Sequence, residues 1–108
     1  MSQQKIITVE EFETIAQEQQ TFLIFKASTT CNISEDAFVE YNTYMSKNES
    51  LPSYYLYVQE ARPLSNHIAE KYGVRHQSPQ VLYVQNGEVT WNESHWRITV
   101  DSLTKHIG

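Results

Sequence analysis

The stretch "TFLIFKA", Thr21 to Ala27, constrains this chain most. Its apolar residues run consecutively instead of alternating. A strand with one wet face would alternate, so this one is expected to be buried on both faces. Such a strand lies inside a sheet covered by helices on either side. An all-helical bundle or an open one-sided sheet is excluded if that expectation holds.

The flanking patterns supply the helices. "TVEEFETIAQEQQ" opens with Thr8 three residues before Glu11, a capping-box pair, and Val9, Phe12, Ile15 and Ala16 follow at helical spacing. A first helix is expected over about Val9 to Gln19. From Cys31 onward, Ile33, Ala37, Phe38, Tyr41, Tyr44 and Met45 form a second helical stripe, and Glu35 and Asp36 favour the dipole of its first turn. "SYYLYVQ" reads as a second apolar strand. Pro63 suits a helix start, Leu64, Ile68, Ala69 and Tyr72 continue it, and Gly73 suits its end. "QVLYVQNGEVTW" is a hairpin turning at Asn86 and Gly87. A last helix follows Thr99, with Val100, Leu103 and Ile107 inward.

The predicted order is α-β-α-β-α-β-β-α, with no repeat or linker. It implies parallel central strands with an antiparallel edge, in an α/β sandwich of four mixed strands with helices on both faces. At 108 residues the chain has the length of one domain, 1–108. Its net charge of −5 and the lack of a basic run argue against nucleic acid as a partner. No apolar run is long enough for a bilayer, and no apolar stretch follows "MSQQK" as a secretory leader would need. A single cysteine allows no internal disulfide, so a reducing, cytoplasmic setting is expected.

That cysteine sits in "STTCNIS", between the buried strand and the second helix. A helix start stabilises an anion, so a thiolate at Cys31 is favoured. It would both attack disulfides and leave mixed disulfides readily. Ser34 lies three residues on, where a dithiol motif would place its second cysteine. Serine cannot expel a bound partner, so the cycle needs a thiol from outside. In "QSPQVLY", Pro79 directly precedes a strand, and a cis Ser78–Pro79 bond there would turn a backbone edge toward the thiol.

These features together resemble the thioredoxin-like fold. More narrowly, the chain is similar to the monothiol bacilliredoxin family of YtxJ type over about Ile6 to Ile107. The likeness rests on "FKASTTC-IS", "SPQVLYVQNG" and "W-ESHW-IT". It implies removal of bacillithiol from mixed disulfides on cytosolic proteins, with Cys31 attacking and bacillithiol as co-substrate instead of a bound cofactor. It also implies that Pro79 holds the cis-proline position. Asn32 stands where the family usually has proline. Around Cys31, Thr30, Asn32, Ser34, Ser78 and Pro79 are the candidate contacts to the substrate.

Lys26 is a further candidate, as an ammonium that favours the thiolate or meets a ligand carboxylate; the alternative is a solvated charge. Arg75 and His76 stand in the same relation to the proline loop. His67, His95 and His106 have no metal-like spacing with Cys31, and Trp91 and Trp96 read as packing residues. Two other functions fit the residues less well. One is an iron–sulfur scaffold of the monothiol glutaredoxin kind, which uses Cys-Gly-Phe-Ser where this chain has Cys31-Asn32-Ile33-Ser34. The other is a non-catalytic adaptor that binds partners through the proline loop.

Overall fold

The computed structural model describes residues 3–108. Five strands, β1 (Gln3–Lys5), β2 (Thr21–Ala27), β3 (Ser53–Tyr57), β4 (Gln80–Gln85) and β5 (Glu88–Ser94), form one mixed sheet. Four α-helices accompany it: α1 (Val9–Glu18), α2 (Asn32–Ser46), α3 (Arg62–Tyr72) and α4 (Val100–Ile107), with a 3₁₀ turn at His95–Arg97. The strand order is β1-β3-β2-β4-β5, with β1, β3 and β2 parallel and β4 and β5 antiparallel to their neighbours.

The buried strand is where its composition puts it. β2 is the central strand, and every residue from Phe22 to Ala27 is buried. Its alternate side chains feed two cores. Phe22 and Ile24 pack with Phe12 of α1 and with Leu64 and Ile68 of α3. Leu23, Phe25 and Ala27 pack on the other face with Tyr41 and Met45 of α2 and Leu103 of α4. A fully buried side chain of this size contributes about 1.5–3 kcal/mol. Burying both faces of one strand therefore fixes helices on both sides of the sheet.

Local signals agree with the elements. Thr8 and Glu11 close the capping box of α1, and Thr99 with Ser102 does the same for α4. Asn86 and Gly87 both have positive φ, 53° and 82°, as a two-residue hairpin of the favoured hand requires. Gly73 ends α3 in the left-handed conformation, at φ 64°.

Two expectations need correction. The sheet has five strands, not four, because Gln3–Lys5 pairs with β3 at the edge. That segment is polar and its pairing is made by backbone groups, so no side-chain pattern marks it. The antiparallel part is also wider than an edge. Helix α3 is followed by the segment Gly73–Pro79, which returns the chain to the end of the sheet that β2 leaves. Gln80 consequently pairs with Lys26, and β4 runs against β2.

That return positions the candidate site. β2 ends at Ala27 and β4 begins just after Pro79, at the same end of the sheet. The thiol segment and the proline loop are thereby brought side by side. Among the described residues, no helix is long and apolar enough to cross a membrane.

Candidate functional site

Cys31 is the residue that caps the start of α2, in extended conformation at φ −122° and ψ 123°. Its carbonyl accepts from Glu35 N at 3.2 Å, while its side chain makes no capping hydrogen bond. The thiol is half-buried and free. Thr30 and Asn32 on either side are exposed.

The loop leading to Cys31 is tied from two directions. Ser34, one turn into α2, is 1% exposed, and its Oγ accepts from Ser28 N at 2.7 Å. Sequence pattern places Ser34 among the substrate contacts; its position in the structure is beneath the loop. On the other side stands Gln59, just past the end of β3. Its Oε1 accepts from Thr29 N at 3.1 Å, and its Nε2 donates to Ser28 Oγ at 2.7 Å and Thr30 Oγ1 at 3.4 Å. Gln59 is absent from the sequence-derived candidates. A strand-helix-strand unit with parallel strands does, however, set the ends of β2 and β3 together: Ala27 pairs with Tyr57, and Val58 N donates to Ala27 O at 2.8 Å.

Across from the thiol loop, the Ser78–Pro79 bond is cis, as the family resemblance implies. Pro79 is buried, and its carbonyl accepts from His95 N at 3.1 Å. His95 itself has φ 56°, in the left-handed region that non-glycine residues seldom adopt. Ser78 Oγ is buried and meets no hydrogen-bond partner among the described residues.

Lys26 departs most from expectation. It is fully buried, neither a solvated charge nor an exposed partner for a ligand carboxylate. Position 26 faces the α1/α3 side of the sheet, because Phe22 and Ile24 do. The ammonium donates to Ser65 O at 3.1 Å and to His76 Nδ1 at 3.2 Å. No carboxylate pairs with it among the described salt bridges. Burial pushes its pKa down to about 8. An ammonium has only donors, so His76 accepts at Nδ1 and holds its own proton at Nε2. Ser65 Oγ lies 3.2 Å from the same nitrogen. Burial, and then the charges of Lys26 and Arg62, push the His76 pKa down. Gln80, 1% exposed, completes the brace: its Nε2 donates to Arg75 O at 3.0 Å, and its Oε1 accepts from Gln77 N at 3.4 Å. The proline loop is thus held from below by Lys26 and Gln80.

The other histidines have structural partners. His67 meets Glu13 at 2.7 Å, and His106 stacks on Trp91 with ring centres 4.9 Å apart. Trp91 is a packing residue as expected, but Trp96 is 67% exposed. It joins Ile33, Val39 and Ile98 around a cleft of about 340 Å³ between α2 and the 3₁₀ turn. A second cleft, of about 480 Å³, lies on the other side of α2 against Ser28, Ser34, Phe38 and Tyr57.

Comparisons with known proteins agree with this geometry. The family model described as monothiol bacilliredoxin BrxC matches residues 4–103. A solved structure of a proposed oxidoreductase with a thioredoxin fold is 38% identical, with a TM-score of 0.89 over 96% of this chain and 92% of that one. Mitochondrial thioredoxin 3 from Saccharomyces cerevisiae, in its oxidised form, superimposes with a TM-score of 0.76 at 12% identity, covering 96% of this chain and 92% of that one. The oxidised thioredoxin of Plasmodium falciparum gives the same score and identity over 96% and 93%. At 12% identity these two show the fold alone.

Proposed function

Because the chain belongs to the monothiol bacilliredoxin family, and is thus a thiol oxidoreductase of thioredoxin fold, we propose that it removes bacillithiol from mixed disulfides on cytoplasmic proteins. Cys31 attacks as the thiolate. Its sulfur forms a bond to the bacillithiol sulfur, and the client's thiolate leaves with the electron pair of the broken disulfide. Cys31 then carries bacillithiol. A second low-molecular-weight thiol, as thiolate, attacks the bacillithiol sulfur, and Cys31 leaves as thiolate. The net result is a reduced client and a disulfide of two small thiols.

The observation that carries this reading is the setting of the one cysteine in the chain. Cys31 is half-buried at the start of α2, and Ser34 occupies the position three residues on. No second thiol of this chain can resolve the adduct, so resolution falls to a small thiol. Bacillithiol acts as co-substrate, and no bound cofactor enters the scheme. Exposed Thr30 and Asn32, with the backbone of half-buried Ser78 in the proline loop, are the surfaces offered to the mixed disulfide.

Intact-mass spectrometry tests the proposal. The protein is mixed with a single-cysteine test protein carrying bacillithiol, and separately with the glutathione equivalent. The expected result is a bacillithiol adduct on Cys31 with matching loss from the client, and no adduct on Cys31→Ser. Absence of any adduct, or transfer from the glutathione client alone, would refute it.

A further inference from the structure

We propose that Gln59 is a positioning residue for the Cys31 thiol; this rests on the exchange reaction above. The case begins with topology. Parallel pairing of β2 with β3 ends at Ala27 and Tyr57, so the residues after each strand emerge side by side. Gln59 uses that proximity to touch three consecutive residues, Ser28, Thr29 and Thr30, through one side-chain amide. Both ends of the amide are engaged. The carbonyl takes the Thr29 N–H, and the NH₂ group reaches two hydroxyls. Ser28 Oγ in turn accepts from Thr30 N at 3.4 Å. The backbone from Ser28 to Thr30 is therefore fixed immediately before Cys31, and with it the direction of the Cys31 side chain.

Direction matters for this reaction more than for most reactions of a thiol. Attack on a disulfide requires the incoming sulfur in line with the bond that breaks. A docked client protein holds that bond at one angle. Where a reaction depends on orientation, a misplacement of about 1 Å costs on the order of 100-fold. A small alkylating reagent is free to approach the same thiol from any direction its exposed side allows and is far less sensitive to the error. Gln59 is exposed and packs in neither core, so its loss acts on the loop and leaves the fold in place.

The test is a ratio of two rates measured at one pH. One is exchange with the bacillithiol-carrying test protein, and the other is alkylation by iodoacetamide. Gln59→Leu removes all three contacts. Gln59→Glu keeps an acceptor for Thr29 N–H, and the two hydroxyls can turn to donate to the carboxylate. Any effect of its charge on the thiolate fraction enters both rates and cancels in the ratio. The expected result is a ratio lowered more than threefold in Gln59→Leu and restored to within threefold of wild type in Gln59→Glu. A Gln59→Leu ratio within threefold of wild type overturns the proposal, as does a Gln59→Glu ratio that falls as far as the leucine variant. A wild-type protein that alkylates but does not exchange overturns the function above, and this role with it.

Discussion

The two loops that meet at one end of the sheet are held by different physics. On its outer side Ser28–Cys31 is held by hydrogen bonds from exposed Gln59, with the buried Ser34 hydroxyl as one further support beneath it. Arg75–Pro79 is held from the interior by Lys26 and Gln80, both essentially without solvent contact. Surface hydrogen bonds exchange readily with water and contribute little net stability, whereas a buried polar group left without its partner costs about 1–3 kcal/mol. At exposed Gln59 the thiol loop can be retuned at small cost to the fold. The proline loop cannot, because its supports are part of the packed structure.

The sharpest test of this contrast is Gln80→Leu. The substitution nearly conserves volume but strands Arg75 O and Gln77 N. It should lower unfolding free energy by about 2 kcal/mol, measured by urea denaturation. A loss under about 0.5 kcal/mol would mean that the proline loop is not braced from within.

Lys26 tests the same idea through pH. Its pKa is about 8 in the fold and 10.5 when free. Unfolding therefore takes up a proton between those values, and raising the pH opposes unfolding. Wild-type stability should climb from about pH 8 toward 10, by at most about 1.4 kcal/mol per unit, relative to Lys26→Met. His76 acts at the other end of the scale. Its lowered pKa means that unfolding takes up a proton as pH falls through the ordinary histidine range, so stability is lost there. A wild type and a Lys26→Met variant with parallel stability profiles above pH 8 would place the ammonium in water.

The thiol loop should respond far less. Gln59→Leu is expected to change unfolding free energy by under about 1 kcal/mol, in line with exposed hydrogen bonds. Asn32→Pro, at the first residue of α2, should stabilise by less than about 1 kcal/mol through the unfolded chain. A loss of 2 kcal/mol in either would erase the distinction between the loops.

Much of this architecture is legible in the sequence because it is written in side-chain pattern. Thr21–Ala27 announces a buried strand, Thr8 with Glu11 a helix start, and Asn86-Gly87 a hairpin, and each is in place. What escapes the sequence depends on partners distant in the chain or on backbone alone. β1 is a polar edge strand known only by its pairing. Lys26 looks like a surface charge until the loop before β4 and helix α3 bring His76 and Ser65 onto it, 50 and 39 residues away. Gln59 follows from the joint ending of β2 and β3, a consequence of topology that its own neighbours do not signal. Ser34 is visible as the residue three after Cys31, but not as the acceptor for Ser28 N–H.

The central claim is that one thiol does the attacking and none in this chain resolves. It is tested most directly by single-turnover release of client thiol, with enzyme and bacillithiol-carrying client in known amounts and no small thiol present. The account predicts at most one client thiol freed per Cys31, then arrest, then renewed turnover when a low-molecular-weight thiol is added. Release beyond one equivalent without added thiol, or undiminished release by Cys31→Ser, would contradict it.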